Sequence, residues 1–507
     1  MEAIGRTAAM SFRTSALADS AQPPPTPHGH VLSTRAARLL GWGAAITLLC
    51  TGSPPTFAQQ QGEPGQTQGS FGAPQDPGTI TTPIEPGTGV TETPVTTPAQ
   101  PTAKYSSETN LTGDWGGLRN KLSDEGFEMT LGYAMEFMGN PVGGESQGST
   151  YVHNVLLELD FDLEKLINLP NSSFRIRGSQ RSGNSLTNRH IGNAFSVQQL
   201  YGGGQTWRLV EVEMDHDLFD GKLNLAYGRL AATNDFLTSP LYCQFVSNAI
   251  CGQPAAPFFN MPEGITAYPE ATWGVRARVQ PIEETYLQVG VYDGDPRQGN
   301  SNGGTNFTFG DNGVLILTEA GYKPKEGLLG LPAAYKIGGY YHTGHFNDVG
   351  KSQGGGNVFD SGEPARRHDD NAGVYTLLDQ MLYREKSDDT RGLYGFFVFV
   401  AAPDEDKNTL PYFVSGGLIY EGLLESRPKD KAAFAVASGF YSNDLRDAQR
   451  DAGQRGQYAE TILEVNYQVQ FTQYFYVRPD VQVVIDPSGY DNIDNALVLG
   501  FEAGIVF

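Results

Sequence analysis

The sequence contains no run of the roughly 18 consecutive apolar residues that a spanning helix requires, so no helical anchor follows its leader. It is short of positive charge, with 35 Lys plus Arg against 57 Asp plus Glu. That acidic balance argues against nucleic acid as a partner, because phosphate backbones call for a basic face. Cysteine is scarce at three residues, and histidine stands at 8. Mean hydropathy is negative. What is plentiful is Gly (62), Tyr (24) and Phe (27). A membrane β-barrel has this composition and escapes hydropathy searches, since every second residue alone faces lipid. A secreted β-sandwich fits it equally.

The final residues alternate. Leu497, Leu499, Phe501, Ala503, Ile505 and Phe507 fall on one face; Ala496, Val498, Gly500, Glu502, Gly504 and Val506 fall on the other. Period-two alternation marks a strand with two different faces. A closing barrel strand has this form, and Phe507 at its end resembles the signal read by the outer-membrane insertion machinery. An ordinary last strand of a soluble β-protein is the alternative.

Residues 1–58 are expected to be a signal peptide. Arg35 and Arg38 supply charge, Leu39 to Cys50 an apolar core, and Thr56-Phe57-Ala58 a cleavage site of the small-x-small type. Processing after Ala58 leaves two cysteines, Cys243 and Cys251. An even count in an exported chain favours a disulfide between them, closing a small loop. Residues 59–103 are Pro, Thr, Gly and Gln with almost no large apolar side chains. Such a linker cannot bury enough surface to offset its ordering entropy and is expected to be disordered. Residues 104–126 form a periplasmic N-terminal segment in which Asp114-Trp115-Gly116-Gly117 precedes a short helix, a plug or brace for a barrel mouth.

Sixteen alternating segments follow over 127–507: 127–138, 151–163, 172–182, 206–217, 222–231, 271–280, 284–293, 313–323, 334–344, 373–384, 391–400, 411–422, 431–443, 457–471, 473–485 and 494–507. Most approach the roughly 9–11 residues of a tilted membrane strand. Odd-numbered connections are read as long, notably 183–205, 232–270 and 345–372, and even-numbered ones as short. An up-and-down barrel has this alternation of long outer loops and short periplasmic turns; a Greek-key sandwich has no reason for it. The fold class is therefore all-β, a sixteen-stranded antiparallel transmembrane β-barrel with a short N-terminal helical segment. The long connection 232–270 is expected to fold inward and narrow the channel.

The strand faces carry the chemistry. Arg175, Arg177, Ser179 and Arg181 oppose Phe174 and Ile176; Arg276 and Arg278 oppose Trp273, Val275, Ala277 and Val279. Leu209 interrupts the next pattern, but Glu211, Glu213 and Asp215 share a side against Val210, Val212 and Met214. A charge facing lipid at the midplane costs about 2–4 kcal/mol, so these faces must meet water.

Several segments resemble the carbohydrate-selective porin family of the OprB type. They are Leu111-Thr112-Gly113-Asp114-Trp115-Gly116-Gly117-Leu118-Arg119; Leu218-Phe219-Asp220-Gly221-Lys222-Leu223 with Gly228-Arg229; Tyr268-Pro269-Glu270-Ala271-Thr272-Trp273-Gly274-Val275-Arg276; and Arg478-Pro479-Asp480-Val481-Gln482. The resemblance covers roughly 105–507. It implies an outer-membrane barrel of a Gram-negative-type envelope that passes mono- or disaccharides by diffusion, as monomer or homotrimer, with lipid and the insertion machinery as partners.

Arginine forks donate to sugar hydroxyls and carboxylates accept from them. The expected path residues are Arg175, Arg177, Arg181, Arg276 and Arg278, with Glu211, Glu213 and Asp215 as counter-charges; Trp207 and Tyr201 are further candidates. An ion-pair network that stiffens the wall is the competing role for each. Gly144-Glu145-Ser146-Gln147-Gly148 matches a serine-hydrolase elbow in letters alone, because it lacks the strand–turn–helix context. His342 with His345, and Asp293, Asp295 and Asp311, are set aside as metal ligands. The chain is read as a non-enzyme without cofactor or metal. Two other functions stay open: a general or anion-preferring porin, and an exported soluble carbohydrate-binding or adhesive β-protein.

Overall fold

The computed structural model describes residues 105–297, 303–385 and 391–507. The expected signal peptide and linker lie outside the described residues. Strands β1 Phe127–Val142, β2 Gly148–Asp162, β3 Ser172–Gly183, β4 Trp207–Leu218, β5 Leu223–Leu230, β6 Thr272–Ile282, β7 Thr285–Asp293, β8 Val314–Tyr322 and β9 Ala333–His342 make the first half. After them come β10 Phe346–Ser352, β11 Ala365–His368, β12 Asn371–Arg384, β13 Gly392–Ala401, β14 Tyr412–Glu421, β15 Lys431–Phe440, β16 Ala459–Gln470, β17 Phe475–Ile485 and β18 Ala496–Val506. All but β10 and β11 close into one antiparallel barrel of sixteen strands. Short helices are α1 Leu118–Asp124, α2 Leu163–Ile167, α3 Ala256–Asn260 and α4 Asn443–Asp451.

Each of the sixteen expected segments coincides with a barrel strand. Two connections differ from expectation. The first, 143–147, is shorter than 163–171, because β1 and β2 stay paired up to Asn140 opposite Gly148. The Asn140 amide then closes the turn, donating to the carbonyls of Gly143 (2.9 Å) and Ser146 (2.8 Å). The stretch 345–372, read as loop, contains the β10–β11 hairpin. Asn357 ties that hairpin to α4 by donating to Ala448 O at 2.6 Å.

The barrel is apolar outside and polar inside, the inverse of a soluble protein. On β18, Leu499 and Phe501 are exposed while Glu502 on the opposite face is buried. The interior is filled by the connections 184–206 and 231–271. Their Phe195, Phe236, Phe245 and Phe258 join one apolar cluster with Leu377, Phe396, Val398 and Phe413 of the inner wall. Strands such as β13 are therefore apolar on both faces, with Phe396 and Val398 inward and Phe397 and Phe399 outward. A strand covered on both sides reads as a continuous apolar run.

A buried loop needs acceptors for its backbone N–H groups. Carboxylates of the inner wall supply them. Glu460 accepts from Ala194 N (2.6 Å) and Phe195 N (2.8 Å), and Glu464 from Val246 N (2.6 Å) and Ser247 N (2.9 Å). Asp379 accepts from the Ser239 hydroxyl at 2.7 Å. Cys243 and Cys251 are disulfide-bonded within the same loop.

Candidate functional site

The inward loops pack against the wall formed by β8 and β12–β17. They also meet the opposite wall, β2–β6, where Ala231 N and Asn234 donate to Glu211. This second wall carries the charged face. Its arginines stand between two rows of carboxylates. Arg175 lies opposite Asp160 on β2 and Glu213 on β4; Arg177 lies opposite Glu158 and Glu211. Arg177 bonds Glu158 through Nε at 2.5 Å and Glu211 through Nη1 at 2.8 Å. Arg175 reaches Asp160 at 2.7 Å. On β6, Arg276 and Arg278 each approach Asp235 of the inward loop at 3.2 Å, and Arg276 also approaches Asp215 at 3.7 Å. Arg278 further donates to Gln288 at 2.8 Å.

Exposure divides these residues. The Arg175 side chain is 40% accessible, whereas Arg177 and Arg276 are at 8% and 5%. Arg177 and Arg276 are thus committed to ion pairs, and Arg175 is the more accessible of the three. Arg181 is buried, with its guanidinium 5.2 Å from the Tyr268 ring. Its Nε and Nη2 have no protein acceptor. Arg208 donates from Nε and Nη2 to Gly203 O at 3.0 and 2.8 Å, and its Nη1 likewise has no protein acceptor. Burying a donor without a partner costs about 1–3 kcal/mol, so such groups mark places for an enclosed water.

Two expectations about β4 need correction, with one physical cause. The β3–β4 register shifts between Arg177 and Gly178, which face Glu211 and Leu209. The residue left over, Val210, is a bulge that resets the alternation. Val210 is consequently buried with Leu156, Ala231, Tyr268 and Ala271 rather than sharing the outer face of Val212 and Met214. Trp207 lies opposite Gln180, the neighbour of inward Arg181, so it points outward; it is 57% exposed. Trp207 therefore lies off the lumenal path. Tyr201 packs beside Ala134, Val152 and Leu200 on the inside.

Sequence reasoning missed Arg208, Asp235 and Tyr268. The bulge hid the phase of Arg208, and the other two reach the wall on the inward loop, where no periodicity exists to read. Glu158 and Asp160 were legible in principle, since both sit on the polar phase of β2.

Among the described residues, one group has the spacing of metal ligands: Asp348, His368 and Asp406, whose ligand atoms lie within 4.8 Å of one another. Arg366 Nη2 already sits 2.6 Å from the same Asp348 oxygen that faces His368 at 3.2 Å. A resident guanidinium supplies the charge a cation would bring, so the group works as an ion-pair clasp on the β10–β11 hairpin. Burial alone would raise the Asp348 pKa. Hydrogen bonds from Gly350 N, Lys351 N, His368 and Arg366 outweigh burial and hold it below the usual carboxylate range.

A closed sixteen-strand barrel, apolar outside, with a charged lumen narrowed by inward loops, defines a porin. The profile of the family described as carbohydrate-selective porin, OprB family, matches residues 146–507, and the chain belongs to that family. It is 31% identical over 425 residues to Porin B of Pseudomonas aeruginosa, covering 78% of this chain and 91% of that one. It is 28% identical over 429 residues to the putative porin QuiX of Acinetobacter baylyi, covering 78% and 93%. The solved high-pH structure of Pseudomonas putida OprB matches with a TM-score of 0.74 at 29% identity, over 80% of this chain and 99% of that one. The chain is an outer-membrane carbohydrate porin.

Proposed function

We propose that mono- and disaccharides diffuse passively through the gap between the charged wall and the inward loop 231–271, with the apolar outer face of the barrel against lipid. Arg175 donates to sugar hydroxyls. Its side chain is 40% accessible, and Asp160, Glu213 and Asp215 are the acceptors nearest it or beside it on the wall. Arg177 and Arg276, locked between carboxylates, brace the wall that holds these groups in place. The observation that carries this reading is the accessible Arg175 guanidinium, set among the wall carboxylates while the neighbouring Arg177 and Arg276 are buried. Water meets this group at rest, and a passing sugar exchanges with it. Individually replaceable hydrogen bonds of this kind suit conduction, which requires exit as much as entry.

The test is single-channel conductance of the refolded protein in a planar bilayer, titrated with mono- and disaccharides. Sugar should block the ion current. Arg175→Ala should weaken block by about tenfold or more, the equivalent of one charge-assisted hydrogen bond. Ion current unaffected by any sugar would favour the general or anion-preferring porin. Recovery of native protein in the soluble periplasmic fraction without detergent would favour the exported soluble protein. The same preparations, crosslinked and sized in mild detergent, distinguish a monomer from a homotrimer.

A further inference from the structure

The motif from Leu111 to Arg119 stands apart from the solute path. It lies at the junction of β1 and β18, where the two ends of the barrel sheet meet. Pairing there runs from Val142 opposite Leu497, across a register shift to Gly139 opposite Leu499, and down to Gly132 opposite Val506. Below that point β1 continues through Leu131 to Phe127, paired with β2 but no longer registered with β18.

Arg119 spans this open end. Its Nη1 donates to Phe507 O and its Nη2 to Met129 O, both at 2.8 Å. One fork thus holds two main-chain oxygens at the open end of the seam, that of Met129 in the part of β1 below the ladder and that of Phe507 just past β18. Phe507 N donates to Leu131 O at 2.9 Å between them, and Leu111 N donates to Val506 O at 3.1 Å. Asn110 adds a longer bond to Phe507 O at 3.4 Å. Arg119 is 3% exposed, and its guanidinium lies 3.8 Å from the Tyr105 ring and 5.1 Å from Trp115. Its position on α1 is set by the tight turn before it. Gly116 and Gly117 there take φ of 70° and 93°, which a side chain would oppose. Asp114 then accepts from Arg119 N through its carbonyl (3.1 Å) and from Asn120 N through its side chain (3.2 Å).

We propose that this motif is a binding site for the last strand, a clasp that holds the barrel shut at its seam. Every other ladder of the barrel joins strands that follow one another in chain order around the barrel, β9 and β12 having only the β10–β11 hairpin between them. The β1–β18 ladder joins strands separated by the whole barrel sequence, so its closure carries the largest loop entropy. An unpaired strand end there is also a free edge. A planar fork can bind two main-chain oxygens at once and exclude water from both; a lysine ammonium lacks that geometry.

The test uses the full chain refolded in detergent. Arg119→Ala and Arg119→Lys should both lower the temperature at which heat-modifiable gel migration is lost. Amide exchange at Phe507 and Leu111 should quicken by about tenfold or more, as for loss of a charge-assisted hydrogen bond. Exchange on the β7–β8 ladder should stay as in the parent. A disulfide across the seam, from Tyr133→Cys with Ile505→Cys, should restore the Arg119→Ala variant. A control disulfide across β7–β8, from Val289→Cys with Thr318→Cys, should not. If Arg119→Ala fails to assemble, the same two disulfides decide: rescue by the seam bridge alone supports the clasp. Unchanged seam exchange in both Arg119 variants overturns it, as does equal rescue by both bridges or by neither.

Discussion

Glu464 is the point at which the inward loop can be loosened without touching the charged wall. Its Oε1 accepts from Val246 N at 2.6 Å and from Asn466 Nδ2 at 3.0 Å, and its Oε2 from Ser247 N at 2.9 Å. Glu464→Gln preserves shape but turns one acceptor into an NH2 group. Oε1, with two donors, keeps its oxygen, and the new amide nitrogen faces Ser247 N, donor against donor. One charge-assisted hydrogen bond is lost, about 1.5–3 kcal/mol. At roughly 1.4 kcal/mol per factor of ten, local opening around Ser247 should rise by about one to two orders of magnitude. The apolar cluster around Phe245 and Phe396 still holds the loop inside, so the barrel should stay folded. Hydrogen exchange at Val246 and Ser247 reads the opening, and open-channel current noise reads its effect on the pore. Exchange at both amides equal to the parent, in Glu464→Gln and in Glu464→Ala, would refute the view that this carboxylate tethers the loop.

Arg177→Ala should destabilise the barrel by about 3–5 kcal/mol, because it strands Glu158 and Glu211 as buried charges; denaturant midpoints measure the loss, and sugar block in the folded fraction should persist. Peptide mapping without reductant should recover the Cys243–Cys251 bridge, and reduction should quicken exchange within 239–256 while leaving the β1–β18 ladder protected. The depressed Asp348 pKa fixes the sign of an acid effect on the β10–β11 hairpin. A carboxyl whose folded pKa lies below its unfolded value stabilises above the unfolded value and loses that contribution as pH falls through the folded one. Proteolysis of 346–368 should therefore accelerate below about pH 4, the ordinary aspartate range, and Asp348→Asn should be labile at neutral pH with a flat acid response.

Period-two alternation by itself determined the sixteen barrel strands and which face of β3 and β6 carries arginine. Alternation is a local property of the backbone, so each strand announces its two faces without reference to its neighbours. The Cys243–Cys251 pairing was legible from the cysteine count for a similar reason, since an exported chain with two thiols has one bridge to make. Tertiary structure decided the rest. Whether Arg177 meets solute or braces the wall depends on Glu158 and Glu211, which arrive from strands on either side. The outward turn of Trp207 depends on a bulge at Val210, a mismatch between two strands that neither shows alone. Asp235 and Tyr268 reach the wall only because the connection 231–271 folds inward, and the inner face of β13 is apolar because that loop covers it. A loop has no period to read, and its place is set by acceptors such as Glu460 and Glu464 more than 200 residues away in the chain.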